Sequence, residues 1–222
     1  DVLDLTVSEA AALFAEARAM PADVLRGVSA NTQAVLLSNE AYVAYGRGQY
    51  ERALGLFDEA EAMHRRVHPA GGPDLWTLQS NRAFMLQEMG RTEEALALRT
   101  ATLEEQRSQL GADNPLLQAP MMGLAISALE RGDLGDAEKW MREAVDLSRR
   151  ALEQPHPDTV VAEGMLARVL RDAGDLGAAE AMLAQAEAGL DALEAPPEGM
   201  AKAFSKQRSI ICAQASALAL PR

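Results

Sequence analysis

Gly48, Gly90, Gly132 and Gly174 stand at one constant interval of 42 residues, and Ala53, Ala95, Ala137 and Ala179 follow them five positions later. Ala11 carries the alanine series one interval upstream. Pro73, Pro115 and Pro157 keep the same interval inside "GGPD", "DNPL" and "PHPD". Independent landmarks sharing one ungapped period mean that the chain writes a single structural unit several times over. A period of this length belongs to stacked repeat architectures.

One unit reads as two helices. From Pro115, "PLLQAPMMGLAISALERG" carries apolar residues at helical spacing and stops at Gly132. Proline is tolerated in a first helical turn, and glycine suits the position past the end. Pro120, inside that first turn, is expected to bend or delay the helix. "DLGDAEKWMREAVDLSRRAL" follows, with Leu134, Ala137, Trp140, Met141, Ala144, Val145 and Leu147 on one stripe. Asp133 and Asp136 open this second helix and Arg149 and Arg150 close it, both as the helix dipole favours. The recurring alanine sits where two antiparallel helices cross closely. A larger residue there overpacks, typically by ~1–3 kcal/mol. A single pair leaves its apolar faces uncovered, whereas stacked pairs bury them. The predicted fold is all-α, a solenoid of stacked antiparallel helix pairs.

Composition agrees with helices. Hydrophobic residues make up 48% of the 222 and aromatics only 4%, so β-formers are scarce. A formal charge of −12 disfavours nucleic acid and anionic lipid as partners. No apolar run is long enough to span a bilayer, and Asp1 and Asp4, where a basic n-region would stand, lead to the expectation of no signal peptide. The single cysteine, Cys212, excludes an internal disulfide, which points to the cytoplasm. Its neighbourhood, "SIICAQAS", makes it a buried small hydrophobe rather than a nucleophile. The chain lacks an initiator Met, as a piece of a longer protein would, and its Ala-rich, Arg-over-Lys content suits a GC-rich bacterium.

"HPDT" at His156–Thr159, "SNEA" at Ser38–Ala41, "SNRA" at Ser80–Ala83 and the turns "GQYERAL", "GRTEEAL", "GDLGDAE" and "GDLGAAE" carry a family pattern. It resembles a tetratricopeptide array of the 42-residue kinesin-light-chain type. The expected organisation is one domain, 1–222. It comprises a half-repeat helix at 7–23, repeats at 31–67, 73–109, 115–151 and 157–193, and a capping helix at 198–220. "EAPPEG" at 194–199 is the sharpest helix break in the chain.

The resemblance implies binding of an extended peptide or helix along the concave face lined by the first helices. The implied inward positions are Asn39, Tyr42 and Tyr45, then Asn81, Phe84 and Gln87, with Gly123, Ile126 and Leu129 next. Met165, Arg168 and Arg171 complete the phase. Amide side chains suit a peptide backbone, aromatics give flat apolar contact, and arginines meet a carboxylate. Structural roles stand beside these: the asparagines bonding within a helix pair, Tyr42 and Phe84 as core, and the arginines as solvated surface. The asparagine series breaks at Gly123 and Met165, which favours the N-terminal half. Ser38, Tyr42, Ser80 and Asn81 occupy the sites where a two-carboxylate clamp needs Lys and Asn.

His64 and His68, four apart with Glu61 before them, have the spacing of a metal pair, but no "HExxH" and no third ligand accompany them. No catalytic arrangement, metal or cofactor is expected. The expected function is non-catalytic binding of a protein or peptide, as an adaptor or scaffold region of a larger bacterial regulatory protein. A peptide-sensing domain whose curvature responds to ligand is the second reading, and a metal-dependent enzyme the remote third. Self-association through the end repeats is a further expectation.

Overall fold

A computed structural model describes residues 30–219, all of whose regular structure is helical. The stretch 7–23 and Ala11 lie outside the described residues. The periodic reading takes the chain as one domain, while its contacts gather into two compact units that meet in sequence at Thr102 and Leu103. The first contains α1 (Ala30–Gly46), α2 (Tyr50–Val67), α3 (Pro73–Glu88) and α4 (Thr92–Leu110) as far as Thr102. The second holds the end of α4, a 3-10 turn (Pro115–Leu117), α5 (Gln118–Glu130) and α6 (Leu134–Ala151). It continues with α7 (Pro157–Asp172), α8 (Leu176–Asp191) and α9 (Met200–Ala219).

The repeated glycines end the first helix of each pair. Their φ values of 73°, 75°, 77° and 85° lie in the left-handed region, where a side chain is strained. This conformation turns the next N–H back onto the helix. Gln49 N donates to Ala44 O at 2.9 Å, Arg91 N to Leu86 O at 2.8 Å, Asp133 N to Ala128 O at 2.9 Å and Asp175 N to Leu170 O at 3.0 Å. The same C-terminal motif is thus built four times. The repeated alanines follow, each fully buried. Around them pack Ala41, Phe57 and Met85 in the first unit and Met141, Leu166, Leu183 and Phe204 in the second.

Helix starts are less uniform. Asp133 and Asp175 cap α6 and α8 by accepting from Asp136 N at 3.2 Å and Ala178 N at 3.0 Å. Pro73 and Pro157 begin α3 and α7 directly, and His156 Nδ1 caps α7 by accepting from Asp158 N at 3.1 Å. The third first-helix departs from this. Pro115–Leu117 form a 3-10 turn, and the α-helix starts only at Gln118. Pro120 is the cause, because it has no N–H for the carbonyl of Leu116 and therefore delays the α-helical ladder.

Helix α9 closes the second unit, with Phe204 and Ile211 buried against it and Lys202 and Lys206 exposed. Arg208 Nε donates to Glu187 Oε1 at 3.1 Å. Cys212 corrects the sequence reading, since it is exposed. One residue past Ile211 is a turn of about 100°, which carries the thiol off the packed face.

Candidate functional site

The first helices place one side chain at each interval of 42 residues on an exposed position. Tyr42 is 38% exposed, Phe84 49% and Ile126 39%, and Arg168 is exposed as well. Solvent contact at three large apolar residues in one phase overrides the assignment of Tyr42 and Phe84 to the core.

In the first unit, Tyr42 stands edge-on to Phe57, with ring centroids 5.8 Å apart at 86°. Burial of its inner edge raises its hydroxyl pKa while the outer edge meets solvent. Tyr45, one turn on, is half-buried against Tyr50, with ring centroids 5.4 Å apart. Burial chiefly, then the Glu88 charge, pushes its hydroxyl pKa up. Asn39 is exposed and Asn81 half-buried, and among the described residues neither amide side chain is hydrogen-bonded. Gln87 accepts from Arg99 Nη2 at 3.3 Å.

In the second unit, Arg168 and Arg171 share one carboxylate of their own. Arg171 donates to Asp172 Oδ1 from Nε at 2.9 Å and from Nη2 at 2.6 Å, while Arg168 Nε lies 3.8 Å from Asp172 Oδ2. A groove of about 450 Å³ opens between the starts of α5 and α7. Leu116, Ala119, Met122, Gly123, Ile126 and Val161 line it. Leu116 is 67% exposed at its rim. The Gln118 amide, buried beneath, donates to Asp158 O at 2.8 Å and holds the two helix starts together.

His64 and His68 approach each other, with ring centroids 4.9 Å apart. His64 is buried, and among the described residues its Nδ1 has no hydrogen-bond partner. Among the described residues no group of three or more His, Cys, Asp or Glu side chains is placed to hold a metal. None of the helices there is long and apolar enough to cross a membrane.

Models of the tetratricopeptide repeat match residues 34–74, 74–150 and 117–192. The chain belongs to the tetratricopeptide repeat family. Solved structures agree in fold. BtubC (BKLC) from P. vanneervenii superposes with a TM-score of 0.66 at 18% identity, over 87% of this chain and 78% of that one. A putative kinesin light chain of Podosopora anserina with nearly identical TPR-like repeats gives 0.66 at 20%, over 84% and 88%. A Rap protein complexed with Competence and Sporulation Factor gives 0.58 at 17%, over 73% and 44%. No curated protein sequence matches the chain.

The tetratricopeptide phase locates Ile126 and Gly123 on the first-helix face but not the groove. Gly123 breaks the asparagine series and so counts against this half of the chain at the level of sequence. In the structure Gly123 is one of the residues that line the groove. The readable signal is Leu116, an aliphatic residue in the phase of Asp74 and Asp158.

Proposed function

We propose that this tetratricopeptide repeat chain is a non-catalytic module that binds a protein or peptide segment through the exposed face of its first helices. It serves as an adaptor or scaffold region of a larger regulatory protein. The observation that carries the reading is the series Tyr42, Phe84 and Ile126, each apolar, each exposed, each one period from the next. Within the first unit, Tyr42 and Phe84 leave two large apolar rings exposed on successive first helices, the kind of feature that marks a contact surface, and Ile126 holds the same phase in the second unit. Tyr42 and Phe84 are the preferred anchors, because aromatic rings give large contact area at small entropy cost. Asn39 and Asn81, one turn before them, supply donors and acceptors for a peptide backbone. Arg168 and Arg171 are weaker members, since Asp172 already engages both.

A peptide-sensing role is the second reading. It is favoured by the likeness of this fold to the Rap protein that is complexed with Competence and Sporulation Factor. The test is capture from an extract of the source organism by the immobilised chain and by a Tyr42→Ser, Phe84→Ser variant of equal helicity. A protein retained by the parent and lost by the variant supports the first-helix face. Equal retention by both moves the binding surface elsewhere.

A further inference from the structure

We infer that the groove between the starts of α5 and α7 receives an aliphatic side chain of a bound peptide whose neighbouring residue is cationic, the cation lying over Asp158. The inference rests on the reading that the first-helix face binds a peptide, and adds the peptide's chemistry.

Three observations on this chain carry it. The first is Leu116. The matching position of the preceding and following first helices is Asp74 and Asp158, where a carboxylate suits the helix N-terminus. Here it is a leucine with most of its surface in water, facing Met122, Ile126 and Val161 across the groove. An exposed aliphatic side chain in a turn that favours carboxylates gains nothing from the fold and is covered by a ligand.

The second observation is size and rigidity. A volume of about 450 Å³ lies at the lower part of the ~300–1,000 Å³ range of ligand sites, room for one or two side chains. The Gln118 to Asp158 bond fixes both walls in advance, which lowers the ordering cost of binding.

The third is charge. Asp158 is the one charged residue among those lining the groove, and its side chain is 63% exposed. His156 Nδ1 lies 3.7 Å from the carboxylate and accepts a hydrogen bond from Asp158 N at 3.1 Å, on the helix-start side, which leaves the outer side of the carboxylate to solvent. An open carboxylate beside an apolar groove, on a chain of formal charge −12, selects Lys or Arg next to the aliphatic residue.

The test is a nuclear magnetic resonance titration of the full chain with three acetylated, amidated probe peptides, Gly-Ser-Leu-Arg-Gly, Gly-Ser-Leu-Glu-Gly and Gly-Ser-Ser-Arg-Gly, at millimolar concentration. The Leu-Arg peptide is expected to shift the methyl signals of Leu116, Ile126 and Val161 and to bind best of the three. Asp158→Asn should weaken it about three- to five-fold while leaving the Leu-Glu peptide unchanged, the size of a partly exposed charge pair. Leu116→Asp, at an exposed site, should remove the methyl shifts without loss of helicity. Equal binding of the Leu-Arg and Leu-Glu peptides, or no shift with any of them, overturns the inference. Shifts confined to α1 and α3 also overturn it and leave the first-helix reading standing, whereas shifts confined to the second helices overturn both. Shifts of Leu116 and Ile126 that depend on chain concentration without peptide assign the groove to a second copy and likewise refute the inference.

Discussion

The ring of Phe204 occupies the space that a side chain on Gly164 would need. A Cβ built on Gly164 lies 2.8 Å from Phe204 Cζ, well inside contact distance. Both residues are buried, and Gln207 Nε2 donates to Gly164 O at 3.3 Å beside them. Glycine inside α7 therefore seats the terminal helix α9. Alanine at 164 gains ~0.5–1 kcal/mol of helix propensity, whereas overpacking a closed core costs ~1–3 kcal/mol. Gly164→Ala is expected to destabilise the chain by about 1 kcal/mol net, read from urea unfolding, and to speed hydrogen exchange in α9. Equal or greater stability contradicts this packing.

Gln49 precedes α2 with φ −88° and ψ 60°, close to the −85° and 78° of Asp133 and the −82° and 75° of Asp175. The aspartates cap their helices and Gln49 does not. Gln49→Asp therefore places a carboxylate on a backbone already shaped for it. It should stabilise by about 0.5–1 kcal/mol in thermal or urea unfolding. The substitution forfeits only an exposed Arg52 to Gln49 bond, which is worth little.

Burial lowers the pKa of His64 below its ordinary 6.5, and His68 adds to this while Asp74 opposes it. The unfolded chain thus takes up a proton at a higher pH than the folded one. Stability is full above 6.5, falls as pH drops through that value, and levels off below the folded pKa. Unfolding curves at about pH 7.5 and pH 5.5 should show the loss, and His64→Leu should shrink it. A variant as pH-sensitive as the parent assigns the loss to other groups.

These relationships show what was legible in the sequence. The helix pairs, their glycine stops and the buried alanines follow from a period that backbone geometry imposes at every repeat, since a left-handed turn needs glycine and a close crossing needs alanine. The tetratricopeptide membership follows from the same landmarks. Pro120 announced a disturbed helix start. The place of Leu116 on the rim of a groove depends on how α5 meets α7, which no local pattern encodes. The seat of Phe204 on Gly164 and the exposure of Cys212 have the same origin, in the face of α9 that meets the described residues. The asparagines, tyrosine and phenylalanine of the candidate face could be placed in phase but not divided between core and surface, because aromatic residues suit either.

Site-specific photocrosslinking tests the central claim most directly. A benzophenone amino acid placed at Tyr42, Phe84 or Ile126, on the first helices, is compared with one at Glu59, Ala101 or Arg142, all exposed on second helices. Each variant is irradiated with the partner captured by the parent chain. Adducts are expected from the first-helix positions and none from the second-helix ones. Adducts from Glu59, Ala101 or Arg142 alone would contradict it.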